Sequence, residues 1–343
     1  MVPRYMLAPI LARVLVPNAE WGVMRAGEQQ LCGRELRWSP NTSLLQVLEQ
    51  FPNEEACITH LEHLRWPNGI ICPMCGESRK IHRFKSRPVY KCGDCEKQFS
   101  VRKGTIFEES RLPLQKWFAT AWLITSNRKG ISSTQVAREI GVTQKTAWFM
   151  MHRLREVAGQ LNGTGGPLSG VVEADETYMG GKEKNKHASK KLNAGRGTAG
   201  KRTVLGARER TGKVHVNQVD GAADRETLHH FITRNVAADS TLYTDDHMGY
   251  RGLGGYVHEA VRHSVGEYVR GQAHTNGIES FWALLKRGHY GVFHRMSWKH
   301  LDRYLDEFQA RWNLGSLDSG QRFDAILGAV SGLRLTYERL TDD

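Results

Sequence analysis

The sequence predicts a multidomain α+β chain: a small cysteine-held ribbon and a helix-turn-helix come first, and an α/β domain built on a mixed sheet with helices follows. Three observations predict it. Four cysteines recur as Cys72-Pro-Met-Cys75 and Cys92-Gly-Asp-Cys95, with sixteen residues between the pairs. Two short helical patterns meet at Gly141-Val142. Beyond a Gly-rich stretch the order becomes strand, hairpin, helix, strand and then further helices, which fits neither a doubly wound repeat nor a barrel.

Residues 1–43 show weak periodicity and read as a weakly structured extension. The run MLAPILARVLV at 6–16 is short and broken by Pro9 and Arg13, so no membrane span is expected and the protein reads as cytoplasmic. The 343 residues carry 40% apolar and 24% charged side chains, an ordinary soluble composition. Lys and Arg number 48 against 36 Asp and Glu, a net charge of +12, and such a surplus favours polyanions, with nucleic acid ahead of anionic membrane.

Residues 44–108 read as a helical lead-in and the ribbon. Two helical patterns break at Pro52 and place Leu44, Leu45 and Leu48, then Cys57, Leu61 and Leu64, on one face. Each Cys-x-x-Cys turn aims two thiolates at one centre, and two such turns complete a tetrahedral site of the structural Zn²⁺ type. The segment between the pairs is too short and polar to hold together by burial alone. Paired disulfides are the other reading, disfavoured by the spacing and a reducing compartment. Cys32 and Cys57 stand apart as plain thiols.

Residues 109–160 read as the helix-turn-helix, with helix expected throughout 113–157. Val136, Ala137 and Ile140 share a face, the chain turns at Gly141, and a second helix opens with Gln144, Lys145 and Thr146. An ordinary helical hairpin is the plainer reading; the basic charge and the adjacent ribbon favour DNA. Residues 161–170 read as a linker. In 171–315, GVVEAD is a strand, 203–219 is a hairpin around Arg210-Thr-Gly, 224–236 is a capped helix and 240–246 is a strand. The helix at 297–314 carries Leu301, Tyr304, Leu305, Phe308 and Trp312 on one face. Residues 316–343 read as a C-terminal tail. Residues 181–213 hold eleven Lys or Arg against two Glu, Lys182, Lys190 and Lys191 among them, which reads as a solvated loop able to track a phosphate backbone.

Asp175 and Asp245 both end strands, and adjacent parallel strands would set them side by side at one sheet edge. Glu279 opens a later helix that could cross that edge. Three carboxylates at one point in a basic protein imply a cation, and a hard-oxygen set suits Mg²⁺ or Mn²⁺. Two such ions can serve an in-line phosphodiester displacement. Each acid has a plainer reading: Asp is common at strand ends, and Asn276-Gly-Ile-Glu279 has capping-box spacing. Lys286 lies two helical turns after Glu279, and that shared face favours Glu279. Glu176 and Asp246 directly follow the two aspartates and, by strand alternation, point the other way. His274, Lys286 and Arg287 are candidates for substrate contact.

The motifs CPMCG with YKCGDC, VVEADETYMGGK, YTDDHMGY, VRHSVGEYVR, HTNGIESFWALLKRG and HLDRYLDEFQARWN together resemble the ISXO-like transposases of bacterial insertion sequences, over roughly residues 50–315. The resemblance implies a catalytic domain of RNase H-like fold with a mixed five-stranded sheet. It also implies Asp175, Asp245 and Glu279 as metal ligands, with Asn276 the alternative third ligand, and cleavage and strand transfer at element ends. The partner would be double-stranded DNA, both terminal inverted repeats and target, bound by at least a homodimer. A regulator that has lost catalysis would show damaged acids, and none of the three is damaged. A stand-alone RNase H-like nuclease would have little use for two DNA-binding modules.

Overall fold

The computed structural model describes residues 38, 39, 42–181, 187–191, 200–261 and 274–342. The chain divides into two compact units. One comprises Met1–Asn127, Ser133–Val157 and Ser316–Asp343; the other comprises Arg128–Ser132 and Ala158–Gly315. Cys32 and Lys182 lie outside the described residues, as does the side chain of Lys190.

The first unit opens with α1 (Leu44–Gln50) and α2 (Glu54–Arg65), separated at Pro52 as expected. Ser43 and Gln46 form a capping box on α1, and Asn53 caps α2 through the Ala56 amide at 2.9 Å. The apolar face expected of α1 is not the buried one: Val47 is enclosed, whereas Leu45 and Leu48 are exposed. A seven-residue helix presents barely two turns, so a single side chain carries its packing. Three short antiparallel strands follow, β1 (Ile81–Arg83), β2 (Tyr90–Cys92) and β3 (Gln98–Phe99), in that spatial order. The helical region expected over 113–157, with one turn at Gly141, is three helices: α3 (Leu114–Ser126), α4 (Ser133–Ile140) and α5 (Gln144–Asn162). The α3–α4 break holds Gly130 at φ +91, where a Cβ would meet the Phe293 ring at 2.6 Å. The α4–α5 turn is the anticipated one, with Gly141 at φ +64.

The second unit holds β4 (Val171–Met179), β5 (Arg202–Glu209), β6 (Val214–Val219), α6 (Arg225–Asn235), β7 (Thr241–Asp245), β8 (Val257–Val261), α7 (Asn276–Gly288) and α8 (Leu301–Asn313). The strands order as β6-β5-β4-β7-β8 in one sheet. The β6-β5-β4 half is antiparallel and the β4-β7-β8 half is parallel. This is the mixed five-stranded sheet of the RNase H-like arrangement, with β4 at its centre. Alternation along β4 sends Val172 and Ala174 to one face, under Leu228, Phe231 and Ile232 of α6. It sends Met179 to the other, under Phe281 and Trp282 of α7 and Phe308 of α8. The stripe expected on α8 is buried at Leu301, Tyr304, Leu305 and Phe308.

Two segments read as unstructured are ordered. Leu168, in the stretch read as a linker, is fully buried and exchanges backbone hydrogen bonds with Asn235 and Ala237. The described part of the stretch read as a tail, residues 316–342, forms α9 (Ser319–Gly328) and α10 (Tyr337–Thr341) and belongs to the first unit. There Phe323 is enclosed by Trp38, Phe51, Phe118 and Trp122, with ring centroids 5.6–6.0 Å away. No described helix is long and apolar enough to cross a membrane.

Candidate active site

β4 and β7 pair in parallel with Glu173 opposite Tyr243. Two residues further along each strand come Asp175 and Asp245, so the register brings them level at the carboxyl end of the sheet. Pairing between these strands stops at Glu173 and Tyr243, so no ladder separates what lies beyond. The carboxylates of Asp175, Glu176 and Asp245 gather there, each offering an oxygen within 4.8 Å of the others. Glu176 was expected to face away. Its side chain does lie on the opposite face, where Tyr250 Oη donates to Oε2 at 3.3 Å. The opened strand edge nevertheless lets its carboxylate reach the aspartates.

Two carboxylates within 4.8 Å repel by about 3 kcal/mol at an effective dielectric near 20. Burial, reinforced by the charges of Glu176 and Asp245, pushes the Asp175 carboxyl up to about 7. Burial and the Asp245 charge push Glu176 up to about 7 as well. Such a group is at ease only protonated or around a cation. All its donors are hard carboxylate oxygens, the set that Mg²⁺ or Mn²⁺ takes, so the residues fit a divalent ion.

Asp175 is held from above by α7, where Trp282 Nε1 donates to Oδ2 at 2.9 Å. The indole lies over Gly206, the β5 partner of Asp175, and a Cβ there would meet the ring at 2.5 Å. Glycine at 206 thus makes room for the tryptophan that orients the aspartate. Glu279 lies outside the three-carboxylate group and accepts from Thr275 Oγ1 at 2.9 Å. At about 100° per residue, Glu279 stands roughly 60° from Trp282 around the helix, Lys286 roughly 40° and Asn276 roughly 120°. Glu279 and Lys286 therefore border the edge of α7 that faces Asp175. Asn276 is exposed and is the first helical residue; the N-cap position belongs to Thr275, so Asn276 does not cap the helix.

Among the other candidates, His274 is half-buried with Nδ1 3.3 Å from Glu173 Oε1, a partner inside the fold. Lys286 is half-buried, and Arg287 and Lys191 are exposed. At the start of α5, Gln144 and Lys145 are exposed and Thr146 is half-buried. Gln144 Nε2 donates to Ser133 Oγ at 2.8 Å, and Lys145 Nζ lies 4.5 Å from the centre of the Tyr337 ring. Sequence reasoning missed Glu173, Trp282 and Tyr250. The available signal was Glu173 itself, an acid on the same strand face as Asp175 inside an apolar run.

The four cysteines fit Zn²⁺. A tetrahedron with Zn–S of about 2.3 Å has edges of about 3.8 Å. Cys72 and Cys95 Sγ are 3.7 Å apart and Cys75 and Cys92 Sγ are 3.5 Å apart, and all four lie within 4.8 Å of one another. Both cysteine turns place the residue after the second cysteine in the left-handed region, Gly76 at φ 82 and Glu96 at φ 58.

The ISXO2-like transposase domain family matches residues 167–313, and the transposase zinc-ribbon domain family matches residues 52–98. A Halobacterium salinarum protein described as an uncharacterized protein in transposable element ISH50 is 33% identical over 285 residues, 78% of this chain and 93% of the relative. Among solved structures, the Mos1 transposase paired-end complex with left transposon end is 11% identical, with 64% of this chain and 77% of that chain covered at a TM-score of 0.26. The Mos1 mariner paired end complex with Mn is 12% identical, with the same coverage and TM-score. The chain, a zinc ribbon joined to a five-stranded sheet with acids at its carboxyl edge, belongs to the ISXO2-like transposase family.

Proposed function

We propose that this protein cuts DNA at the ends of an insertion sequence and joins the freed 3′-hydroxyl to target DNA. The observation that carries the reading is the convergence of Asp175 and Asp245 at the open end of the β4–β7 pair, in a chain of a transposase family. The relative's place in a transposable element supports the same substrate. In the first step water attacks a phosphodiester and the 3′-oxygen leaves. In the second, that 3′-hydroxyl attacks a phosphodiester of the target, and the target strand's own 3′-oxygen leaves. Asp175 and Asp245 would hold the divalent ions, with Glu279 completing the set from α7. When bound, those ions supply activation of the attacking oxygen and neutralisation of charge on the leaving one.

The chain's own residues supply the frame. Trp282 fixes the Asp175 carboxylate, and Lys286 and Arg287 present cations on the same helix for backbone phosphates. Gln144, Lys145 and Thr146, at the start of α5, would enter a DNA groove if α4 and α5 act as a helix-turn-helix. The basic run with Lys182, Lys190 and Lys191 would follow phosphates, a contribution that weakens steeply with salt. Joining two ends requires at least two copies on the DNA.

The test is cleavage of labelled DNA carrying the element's own end, in Mg²⁺, by wild type and by Asp175→Ala, Asp245→Ala, Glu279→Ala and Asn276→Ala. Strand-specific nicking should fall at least about a hundredfold in the first three variants and survive in Asn276→Ala. Loss in Asn276→Ala with survival in Glu279→Ala would move the third ligand one turn back. Binding without nicking in wild type would refute catalysis.

A further inference from the structure

The strand that carries Asp175 also carries a second acid, Glu173, which the chemistry above leaves unused. It is 1% exposed and lies two residues before Asp175, on the same face of β4. A carboxylate enclosed to that degree is costly by several kcal/mol unless donors surround it. Glu173 Oε2 accepts from the backbone amide of Ile278, in the first turn of α7, at 2.9 Å. Its Oε1 lies 3.3 Å from His274 Nδ1 and 3.5 Å from Arg210 Nε. Arg208, its partner across the β4–β5 ladder, brings its guanidinium to the same first turn of α7, beside Gly277.

Two further features show that this contact seats the helix. Thr275, the N-cap residue of α7, makes no side-chain capping bond, so the acceptor for the Ile278 amide comes from β4 instead. Gly277 lets the first turn lie directly on the carboxylate, since a Cβ there would stand 2.6 Å from Glu173 Oε2 and closer still to the Arg208 guanidinium. α7 is thus tied to β4 twice, through Ile278 to Glu173 and through Trp282 to Asp175. Glu279 is the residue immediately after Ile278.

We propose that Glu173 is a positioning residue: by capping α7 from the central strand it sets where Glu279 stands relative to Asp175 and Asp245. The proposal rests on the reading that these acids hold divalent metal. A general structural role would lower stability without regard to Glu279; a positioning role acts through Glu279 and disappears when Glu279 is removed.

The experiment is Mn²⁺ binding to the full chain by calorimetry, in a double-mutant cycle of Glu173→Ala and Glu279→Ala. Glu173→Gln, which keeps an acceptor oxygen for the Ile278 amide, runs in parallel and carries the cycle if the alanine variant does not fold. Asp175→Ala is the control. Glu173→Ala should weaken Mn²⁺ at least about tenfold in the wild-type background and less than about twofold in Glu279→Ala, with Glu173→Gln between it and wild type. Equal losses in both backgrounds, or unchanged affinity with the control impaired, would overturn the positioning role alone. Equal Mn²⁺ binding by wild type and Asp175→Ala would overturn the metal reading itself, and this proposal with it.

Discussion

At the scale of single residues, the acids carry the most information and the most strain. The Asp175 carboxyl stands at about 7 against an ordinary 3.8, so between those values the folded chain holds a proton that the unfolded chain has released. The metal-free protein should therefore lose stability as pH rises from 4 towards about 7, and Glu176 adds in the same direction. Asp175→Asn removes that penalty. In metal-free thermal melts at pH 7.5 it should raise Tm by roughly 2–4 °C, as about 1 kcal/mol does in a domain of this size, with the gain vanishing at pH 4. A lower Tm at pH 7.5 would mean that hydrogen bonding to the carboxylate outweighs its repulsion. Asp245 could be found in the sequence because it ends a strand of clear pattern; Asp175, read as a strand end as well, lies in the middle of β4, which runs on to Met179, and only the pairing with β7 stops short of it. Glu173 was visible as an acid inside an apolar run, but its role could not be read, because its neighbours Arg208, Arg210, His274 and Ile278 stand 35, 37, 101 and 105 residues away along the chain. Nor could Trp282, whose indole reads as one more apolar face until Gly206 and Asp175 are found beneath it.

At the scale of elements, the ribbon shows what a local pattern can specify. Its strands hold three, three and two residues, too few for a ladder to persist alone. Tyr90 and Phe99 pack with Trp66 at centroid distances of 6.0 and 6.1 Å, a small core for some forty residues. Four thiolates around one centre are thus expected to supply most of its cohesion. Chelation, or Cys92→Ser, should remove amide-exchange protection from residues 72–99 and leave β4–β8 protected. Unchanged protection in the ribbon would show that its aromatic contacts suffice. Cysteine spacing and the Gly141 turn are local signals, and both were readable. The α3–α4 break was not, because the Phe293 ring that crowds Gly130 lies 163 residues further along.

At the scale of the whole molecule, the first unit is assembled from three stretches of chain, and its last stretch is no tail. Phe323, Ile326, Leu327, Val330, Leu335 and Leu340 are all buried. At roughly 1.5–3 kcal/mol each they contribute as much as the net stability of a typical domain. His60 Nε2 also pairs with Asp324 Oδ1 at 2.8 Å, and Arg153 Nε donates to Leu335 O at 3.0 Å. A chain ending at residue 315 should therefore lose the cooperative unfolding transition of the first unit while β4–β8 stay protected in hydrogen exchange. Retention of that transition would make the C-terminal helices dispensable. Composition hid this, because α9 and α10 are short and their apolar residues have no partners nearby in sequence. The interleaving also sets an order of events at the ribosome. Every residue of the sheet unit has been synthesised by Gly315, whereas the unit holding the ribbon and α4 waits for residues 316–343. A chain terminated at Gly315 therefore carries every residue of the sheet and its acids, and lacks the helices that complete the other unit.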